Sequence, residues 1–310
     1  MHGIMTAVMT VLGPIDSGDL GFTLTHEHFF INLLREYRGE GLLNDPELAK
    51  DEVLRFKAAG GRTVVDCTSI GLQRDPAALR RLAQETGLNV IMGCGHYRDP
   101  YIDRGWLDSQ SANKVADLIV RDIDVGADGT GIRAGIIGEV GCDKRYVSAA
   151  EERSLRAAAR AHLQTGLTIT THAARWPVGL PQLEILRSEG VDPARVVIGH
   201  CDTVPSYEYH EEVARLGAWV QFDTIRGESE YDIAHRVRMV LNLVSKGFID
   251  RILLSHDVCL RSMLRICGGG GYDLIPTVFL PRLREAGLSA EQLARITVDN
   301  PRRALTGEED

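Results

Sequence analysis

Short apolar runs rich in β-branched residues recur along the chain, and most of them follow a helical stretch that ends in glycine. Residues 62–66 follow Gly60 and Gly61, and residues 88–92 follow Gly87. Glycine just after a helix adopts the left-handed conformation that caps the free carbonyls and turns the chain. We therefore predict eight strands, whose centres lie near residues 25, 65, 92, 136, 169, 197, 220 and 253.

The segments between these runs have helical patterns, and intervals of about 23 to 44 residues leave room for a helix between each pair of strands. Several runs are continuously apolar, which is typical of a parallel sheet buried on both faces. Eight βα units predict the α/β class and a (β/α)8 TIM barrel, with an open doubly wound sheet as the alternative. The predicted helices include residues 46–59, 76–86, 112–125, 149–165 and 233–246.

Length and composition agree with one barrel rather than two small domains. The chain has 310 residues, 44% of them hydrophobic and 25% charged, which excludes a disordered chain and a small disulfide-stapled scaffold. No linker rich in proline, serine or glycine divides it, and the run Gly268–Gly271 is interpreted as a loop after the eighth strand. We therefore expect residues 1–310 to form a single barrel domain.

Net charge and cysteine usage limit the partners and the compartment. The formal net charge of −8 argues against a nucleic-acid partner. No apolar window approaches the roughly 18 residues of a membrane span, and residues 1–13 do not resemble a signal peptide. The six cysteines show no C-x-x-C or zinc-ribbon spacing. We therefore expect free thiols and a cytoplasmic protein that acts on a small molecule, away from membranes.

Residues capable of binding metal end five of the predicted strands. The carboxyl ends of barrel strands form one rim, where active sites are built. His26 and His28 stand two apart on the first strand, so both side chains point to the same side. Neutral imidazoles cannot balance divalent charge alone, and Glu139 lies midway round the ring, where it can bridge two ions. The candidate metal ligands are His26, His28, Glu139, His172, His200 and Asp257.

A single histidine at a barrel rim is more often structural than functional, but four histidines and two carboxylates at strand ends are hard to obtain by chance. His256 is expected to point away from the barrel lumen. His96 follows the third strand and is either a wall of the pocket or a residue packed under the third loop. The remaining histidines are interpreted as surface or packing residues: His2, His162, His210 and His235.

The order H-x-H, carboxylate, His, His and Asp resembles that of the amidohydrolase superfamily. From Gly13 to Leu305 the local sequences resemble its phosphotriesterase family. The segments that carry this resemblance are Leu24-Thr25-His26-Glu27-His28, Arg133-Ala134-Gly135-Ile136-Ile137, Thr170-Thr171-His172, Val197-Ile198-Gly199-His200-Cys201-Asp202 and Leu254-Ser255-His256-Asp257.

The resemblance implies a binuclear, usually zinc, hydrolase that forms a homodimer. It implies that His26, His28 and Asp257 hold the more buried ion, and that His172 and His200 hold the more exposed one. We expect two divalent ions, zinc first, with manganese, cobalt or iron as alternatives.

The residue expected to bridge the ions indicates which branch of the family the chain resembles. The best-known branch uses a carboxylated lysine at the end of the fourth strand, but residues 137–141 contain none of the chain's five lysines, and Lys144 lies beyond Gly141. Glu139 resembles instead the bridging glutamate of the phosphotriesterase homology and phosphotriesterase-related proteins.

Our mechanistic hypothesis is that a hydroxide held between the two ions attacks an ester-like carbonyl or phosphoryl centre. Asp257 accepts the proton and returns it to the leaving group. Asp202 is either an outer partner of the metal ligands or a solvated residue facing a helix. Tyr97 resembles a tyrosine that lies near the hydroxide in lactonases of this family.

Rim residues are candidates for substrate specificity. Arginine is the favoured residue for bidentate binding of carboxylate or phosphate, although each arginine taken alone is more often a solvated surface residue. The candidates for substrate binding are Tyr97, Arg175, Trp176 and Arg261, with Trp106 and Arg265 as further rim residues.

Three functions remain open at this point. The first is a lactonase or carboxylic-ester hydrolase with promiscuous phosphotriesterase activity. The second is an amidase of N-acylated small acids, and a phosphoester hydrolase is a related alternative. The third is a barrel that binds a ligand without turnover, which the complete ligand set disfavours because binding needs no base beside an open metal pair.

Overall fold

Eight parallel strands form one sheet in which each strand pairs with its neighbours in the chain. The computed structural model describes residues 6–142, 144–227 and 229–308. In register, Leu24 pairs with Val64, and Val64 pairs with Val90. The strands, numbered along the chain, are β1 (Thr23–Glu27), β2 (Thr63–Asp66), β3 (Asn89–Cys94), β4 (Ile136–Cys142), β5 (Ile169–Ala173), β6 (Val196–Ile198), β7 (Trp219–Phe222) and β8 (Ile252–Leu254).

The first and last strands meet, so the sheet curls into a nearly closed barrel. The backbone N–H of Asp257 donates to the carbonyl of His26 at 3.2 Å, and the hydroxyl of Thr25 donates to the carbonyl of Leu254 at 3.4 Å. The backbone N–H of His26 donates to Oγ of Ser255 at 2.9 Å. The predicted (β/α)8 TIM barrel is confirmed, because an open doubly wound sheet would leave β1 and β8 apart.

Helices fill the intervals between the strands, and the five that the sequence predicts lie within a few residues of their expected bounds. Two short hairpins precede and follow β1, pairing Ala7–Thr10 with Gly13–Asp16 and Ile31–Asn32 with Leu42–Leu43. The α-helices are Leu34–Tyr37, Pro46–Ala58, Pro76–Thr86, Arg104–Leu107, Ala112–Asp124, Ala149–Thr165, Gly179–Ser188, Tyr207–Arg215, Glu230–Ser245, Leu280–Glu285, Ala290–Ala294 and Asn300–Thr306, with π-helical turns at Ile275–Phe279 and Arg295–Asp299.

The helix ends carry the signals that the sequence predicts. Gly87 ends the helix Pro76–Thr86 with a φ of 65°, in the left-handed region that glycine adopts without a steric penalty. At the other end of such units, Ser148 and Glu151 form a reciprocal capping box that starts the helix Ala149–Thr165. These signals place each strand start soon after a helix end.

The barrel strands are buried on both faces, which explains their continuously apolar sequences. Strand β4 differs from the sequence expectation, because it begins at Ile136 and continues past Glu139 to Cys142. An irregularity in the β4–β5 register between Ile137 and Val140 accommodates the extension. Glu139 therefore lies inside a strand rather than at its end. All six cysteines are free thiols, as predicted, and no helix among the described residues is long and apolar enough to cross a membrane.

Candidate metal centre

His26 in β1 and His28, which directly follows β1, converge on the Glu139 carboxylate of β4 at the C-terminal rim. Alternation along the strand turns both rings of the H-x-H sequence inward. Nε2 of His26 lies 3.5 Å from Oε2 of Glu139, and Nε2 of His28 lies 3.5 Å from Oε1. All three side chains are at most 2% exposed. The first histidine pair and one carboxylate therefore face a common point.

A second histidine pair, from the ends of β5 and β6, faces the same carboxylate. Nδ1 of His172 and Nε2 of His200 lie 3.1 and 3.4 Å from Oε2 of Glu139. These two ring nitrogens lie only 2.8 Å from each other. Glu139 thus stands between two histidine pairs, which is the arrangement of a carboxylate that bridges two ions.

The donor set fits two divalent cations. Metal–nitrogen bonds of about 2.0–2.1 Å place neighbouring ligand atoms about 3.0–3.4 Å apart, close to the separations around Glu139. Both ring nitrogens of His26 are buried without a well-aligned hydrogen-bond partner, and Nε2 points at Glu139. Buried polar atoms are nearly always paired, so an orphaned imidazole nitrogen beside a carboxylate is the position of a metal ligand.

Asp257 lies beside the first histidine pair. Its Oδ1 is 3.2 Å from Nε2 of His28 and 3.9 Å from Nε2 of His26. Asp257 and His200 have φ values of 52° and 56°, in the left-handed region that residues other than glycine seldom adopt. Such conformations persist where the surrounding structure fixes them, and they cluster at functional sites.

The glycine before Glu139 allows the bridge to reach its position. Gly138 has a φ of 128°, and a Cβ built on it would lie 2.1 Å from the carbonyl oxygen of Thr170. Only glycine lets β4 approach β5 this closely.

Asp223 orients one histidine of each pair from outside the pairs. The N–H at Nδ1 of His200 donates to Oδ1 of Asp223 at 2.8 Å, and Nδ1 of His26 lies 3.1 Å from Oδ2. The hydroxyl of Thr68 lies 2.9 Å from Nδ1 of His28 in the same way. Partners of this kind fix which ring nitrogen is free to bind a cation.

Asp202 lies behind Asp223, further from the metal centre. It is buried, so it is not the solvated residue that the sequence allowed as an alternative. Its carboxylate accepts the backbone N–H groups of Asp223 and Thr224 at 3.2 and 3.0 Å, and it pairs with Arg236 at 2.7 Å. It supports Asp223 rather than a metal ligand directly. Sequence reasoning singled out Asp202 and passed over Asp223, although Asp223 was visible as the polar residue that follows β7.

Glu27, between the two histidines of β1, points away from the metal ligands and fixes the loop that carries Asp257. Oε1 of Glu27 accepts the backbone N–H of His256 at 2.9 Å and its ring Nδ1–H at 2.8 Å. Oε2 accepts the backbone N–H of Val258 at 3.1 Å. Glu27 thus holds the residues on both sides of Asp257, and His256 points away from the metal centre, as expected.

The carboxylates of the site are held in their charged form. Burial alone would raise the pKa of Glu139, but His26 and hydrogen bonds from two further histidines hold it well below its ordinary value. Burial also acts to raise the pKa of Asp257, but the guanidinium of Arg226 and the neighbouring histidines His28, His200 and His26 together lower it below its ordinary value. Two anionic carboxylates supply the charge that divalent cations require.

The histidines of the second pair are shifted in opposite directions. Burial lowers the pKa of His172, and the neighbouring His200 lowers it further. Burial also opposes the charged form of His200, but the carboxylate of Asp223 outweighs burial and raises the pKa of His200. His172 is therefore held in the neutral form whose ring nitrogen can bind a cation.

A cavity of about 130 Å³ opens over the histidine pairs. The hydroxyl of Tyr97 projects into it and lies 3.1 Å from Nδ1 of His172. Sequence reasoning missed Arg226, which comes from the loop after β7 and contacts Oδ2 of Asp257 as well as its carbonyl oxygen. Only its position three residues after Asp223 could have signalled this role. The cavity lining includes Tyr97, Arg98, Arg175, Thr203, Arg226 and Asp257.

The structure does not bring the other proposed substrate-binding residues to this cavity. Arg261 lines a separate pocket beside Tyr272. The ring of Trp176 is 36% exposed and lies 4.1 Å from the guanidinium carbon of Arg145. Cys259, Leu260 and Met263 of the loop after β8 line the cavity, whereas further along the loop the buried Glu52 accepts the backbone N–H groups of residues 265 and 266.

His96, Trp106, Arg265 and the described histidines on helices lie outside the cavity lining. His96 stacks on Trp106 with ring centroids 5.3 Å apart, so it is packed under the loop and is not part of the cavity lining. Arg265 pairs with Asp273 at 3.0 Å. His162 and His210 are buried on helices, His235 is half-buried on another, and His2 lies outside the described residues.

An eight-stranded barrel with two histidine pairs around one buried glutamate defines a binuclear metal-dependent hydrolase. The family model of the phosphotriesterase family matches residues 6–305. The chain belongs to this family, within the amidohydrolase superfamily, which confirms the resemblance found in the sequence.

Three similar proteins align with nearly the whole of this chain. The phosphotriesterase homology protein of Escherichia coli (strain K12) is 35% identical over 288 residues, which are 91% of this chain and 96% of that protein. The N-acetyltaurine hydrolase of Dictyostelium discoideum is 31% identical over 362 residues, covering 96% and 97%. The crystal structure of a lactonase from Listeria monocytogenes superposes with a TM-score of 0.90 at 28% identity, covering 98% of this chain and 100% of the other.

Proposed function

We propose that this protein hydrolyses a lactone or another carboxylic ester of a small molecule. The observation that carries the proposal is the cavity over Glu139, whose lining includes His28, His172, His200, Asp257 and Tyr97. Its volume of about 130 Å³ is below the 300–1,000 Å³ typical of sites for drug-sized ligands. A compact acyl compound suits such a space better than a bulky phosphotriester.

The residues of the site divide the work of ester hydrolysis. The two histidine pairs, the shared Glu139 and Asp257 would hold two divalent cations, which would supply an activated water and polarise the acyl oxygen. Asp257 accepts the proton from the attacking water and returns it to the leaving alcohol, so that an ester and water yield an acid and an alcohol. Arg226 fixes the orientation of the Asp257 carboxylate, and Tyr97 donates a hydrogen bond where charge develops on the acyl oxygen.

An amidase of N-acylated small acids is the second candidate. It is favoured by the N-acetyltaurine hydrolases, which are 31% identical in Dictyostelium and 32% identical in Homo sapiens and align with nearly their full length. The same residues would then protonate a leaving amine in place of an alcohol. An amine is the poorer leaving group, so the amidase depends more strongly on the proton returned by Asp257.

A matched pair of substrates separates the two candidates. The acetate ester of 2-hydroxyethanesulfonate and N-acetyltaurine differ only in the leaving atom, oxygen or nitrogen. Protein loaded with zinc, manganese or cobalt is assayed with this pair, a series of simple lactones and a paraoxon-type phosphotriester. We expect kcat/KM for a lactone or the ester to exceed that for the amide by at least about tenfold. A faster amide would replace the first candidate with the second.

The metal dependence is tested in the same assay with Glu139→Gln, which is nearly isosteric and removes the shared charge. Metal content, measured by mass spectrometry, is expected to fall below two ions per chain, and the rate is expected to fall by at least about 100-fold. Full rate together with full metal content in Glu139→Gln or Asp257→Asn would contradict the mechanism. Hydrolysis of the phosphotriester alone would contradict the choice of a carboxylic acyl substrate.

A further inference from the structure

Three arginines line the cavity, and two of them already neutralise a carboxylate. The guanidinium of Arg98 donates to both oxygens of Glu36, with Nη1 at 3.2 Å from Oε1. Arg226 pairs with Asp257. The third, Arg175, forms no ion pair within 4 Å among residues 6–142, 144–227 and 229–308. One positive charge at the cavity is therefore left for a group that the protein itself does not supply.

The backbone of Arg175 is tied to the metal centre. Arg175 has a φ of 71°, in the left-handed region that residues other than glycine seldom adopt. Its backbone N–H donates to Oγ1 of Thr203 at 2.7 Å, and the Thr203 hydroxyl donates to the carbonyl oxygen of His200 at 2.7 Å. Arg175 also follows His172 by three residues, so their Cα atoms are at most about 10 Å apart. The start of the side chain is therefore fixed relative to both second-pair histidines.

Glu36 is the carboxylate within the protein that could act as a partner of Arg175. Burial acts to raise its pKa, Arg98 outweighs burial and lowers it, and Arg175 adds only a smaller lowering. Both oxygens of Glu36 are already engaged by Arg98. Glu36 therefore does not satisfy the fork of donors that Arg175 presents, and that fork matches a carboxylate, sulfonate or phosphonate in bidentate geometry.

We propose that Arg175 selects substrates that carry an anionic group a few bonds from the scissile acyl centre. The substrate class is a small acyl compound, a lactone, ester or N-acyl derivative, with a carboxylate, sulfonate or phosphonate at its far end. Thr203 is the positioning residue that holds Arg175 in place. This inference rests on the proposed function for the identity of the bond cleaved, but the anion site itself can be tested by binding.

The kinetic test compares two acetate esters that differ in charge: the ester of 2-hydroxyethanesulfonate and neutral 2-methoxyethyl acetate. In the metal-loaded protein, Arg175→Gln is expected to lower kcat/KM for the anionic ester by about 10- to 100-fold, mostly through KM, and to change the neutral ester less than about twofold. Arg175→Lys is expected to recover part of the loss. Arg145→Gln, which alters a rim arginine stacked on Trp176, is the matched control and is expected to leave both esters unchanged.

The binding test does not depend on turnover. Propane-1-sulfonate is titrated by calorimetry into the metal-loaded protein. Arg175→Gln is expected to weaken its binding by at least about tenfold. Acetate, which is small enough to bind at the metals themselves, is the control and is expected to bind the wild type and the variant equally. If none of the acyl substrates is hydrolysed but sulfonate binding depends on Arg175, the proposed function is wrong and the anion site is supported. Equal loss for both esters, or sulfonate binding that ignores Arg175, would overturn the anion site.

Discussion

The Nδ1–H of His200 donates to the carboxylate of Asp223 at 2.8 Å, and the backbone N–H of His200 donates to the same oxygen at 2.9 Å. Because the second oxygen of Asp223 faces Nδ1 of His26, one buried carboxylate orients a histidine from each pair. We expect Asp223→Asn to weaken metal affinity by about 10- to 100-fold, since an amide is uncharged and cannot present an anionic oxygen to each of the two rings. Titration of metal-depleted protein with zinc, followed by activity, measures this change.

The control for this variant is Asp273→Asn, which alters a carboxylate paired with Arg265 outside the centre. Its metal affinity is expected to match that of the wild type. Excess metal is expected to restore much of the activity of Asp223→Asn. An unchanged affinity in Asp223→Asn would show that the ring orientations do not depend on this carboxylate.

The fold was predictable because its signals are local. Each strand is a short β-branched run, and positions such as Gly87 and Gly166 mark the preceding helix ends with left-handed backbone. The convergence of ligands was predictable for a related reason: in a parallel barrel, the carboxyl ends of all strands lie at one rim, which brings the histidines together, and Glu139 reaches them from within β4.

The partners of the ligands were not predictable because they depend on contacts between distant segments. Asp223 contacts His26 and His200, which lie 197 and 23 positions before it in the chain, and its position after β7 does not reveal these contacts. The path of the loop after β8 depends on the buried Glu52, more than 200 residues earlier, which accepts the backbone N–H groups of residues 265 and 266. Loop paths of this kind are set by tertiary hydrogen bonds rather than by local propensity.

Tyr97→Phe tests the hydroxyl at the cavity. The hydroxyl lies 3.1 Å from Nδ1 of His172 in a buried setting. We expect its loss to lower kcat by about tenfold or more at unchanged metal content, because a donor aimed at developing charge acts mainly in the transition state. Tyr101→Phe is the matched control, since the neighbouring ring lies 5.4 Å away and is not part of the cavity lining. Equal losses in both variants would indicate a packing effect instead.

Gly138→Ala tests the close approach of β4 and β5. The added Cβ would lie 2.1 Å from the carbonyl oxygen of Thr170, in a backbone conformation that alanine rarely adopts. We expect the free energy of unfolding to fall by more than about 2 kcal/mol, or the protein to fail to fold. Gly39→Ala is the control, because its Cβ meets no atom within 4 Å and its φ is not positive. Wild-type stability in Gly138→Ala, measured by urea unfolding, would disprove the steric argument.

His96 gives the fold a stability that depends on pH. Burial lowers its pKa from 6.5 to about 4, and Arg74 adds to the lowering. As the pH falls below 6.5, His96 is therefore protonated in the unfolded chain, whereas in the folded chain it stays neutral down to about pH 4. Acidification thus favours the unfolded state, and this contribution to stability is lost. The expected loss at pH 5 is about 2 kcal/mol. His96→Phe keeps a ring against Trp106 and removes the titration. Urea unfolding of both metal-depleted proteins is measured at pH 7 and pH 5. The variant should lose less free energy of unfolding on acidification, since the other histidines titrate equally in both proteins. Equal losses would refute the assignment.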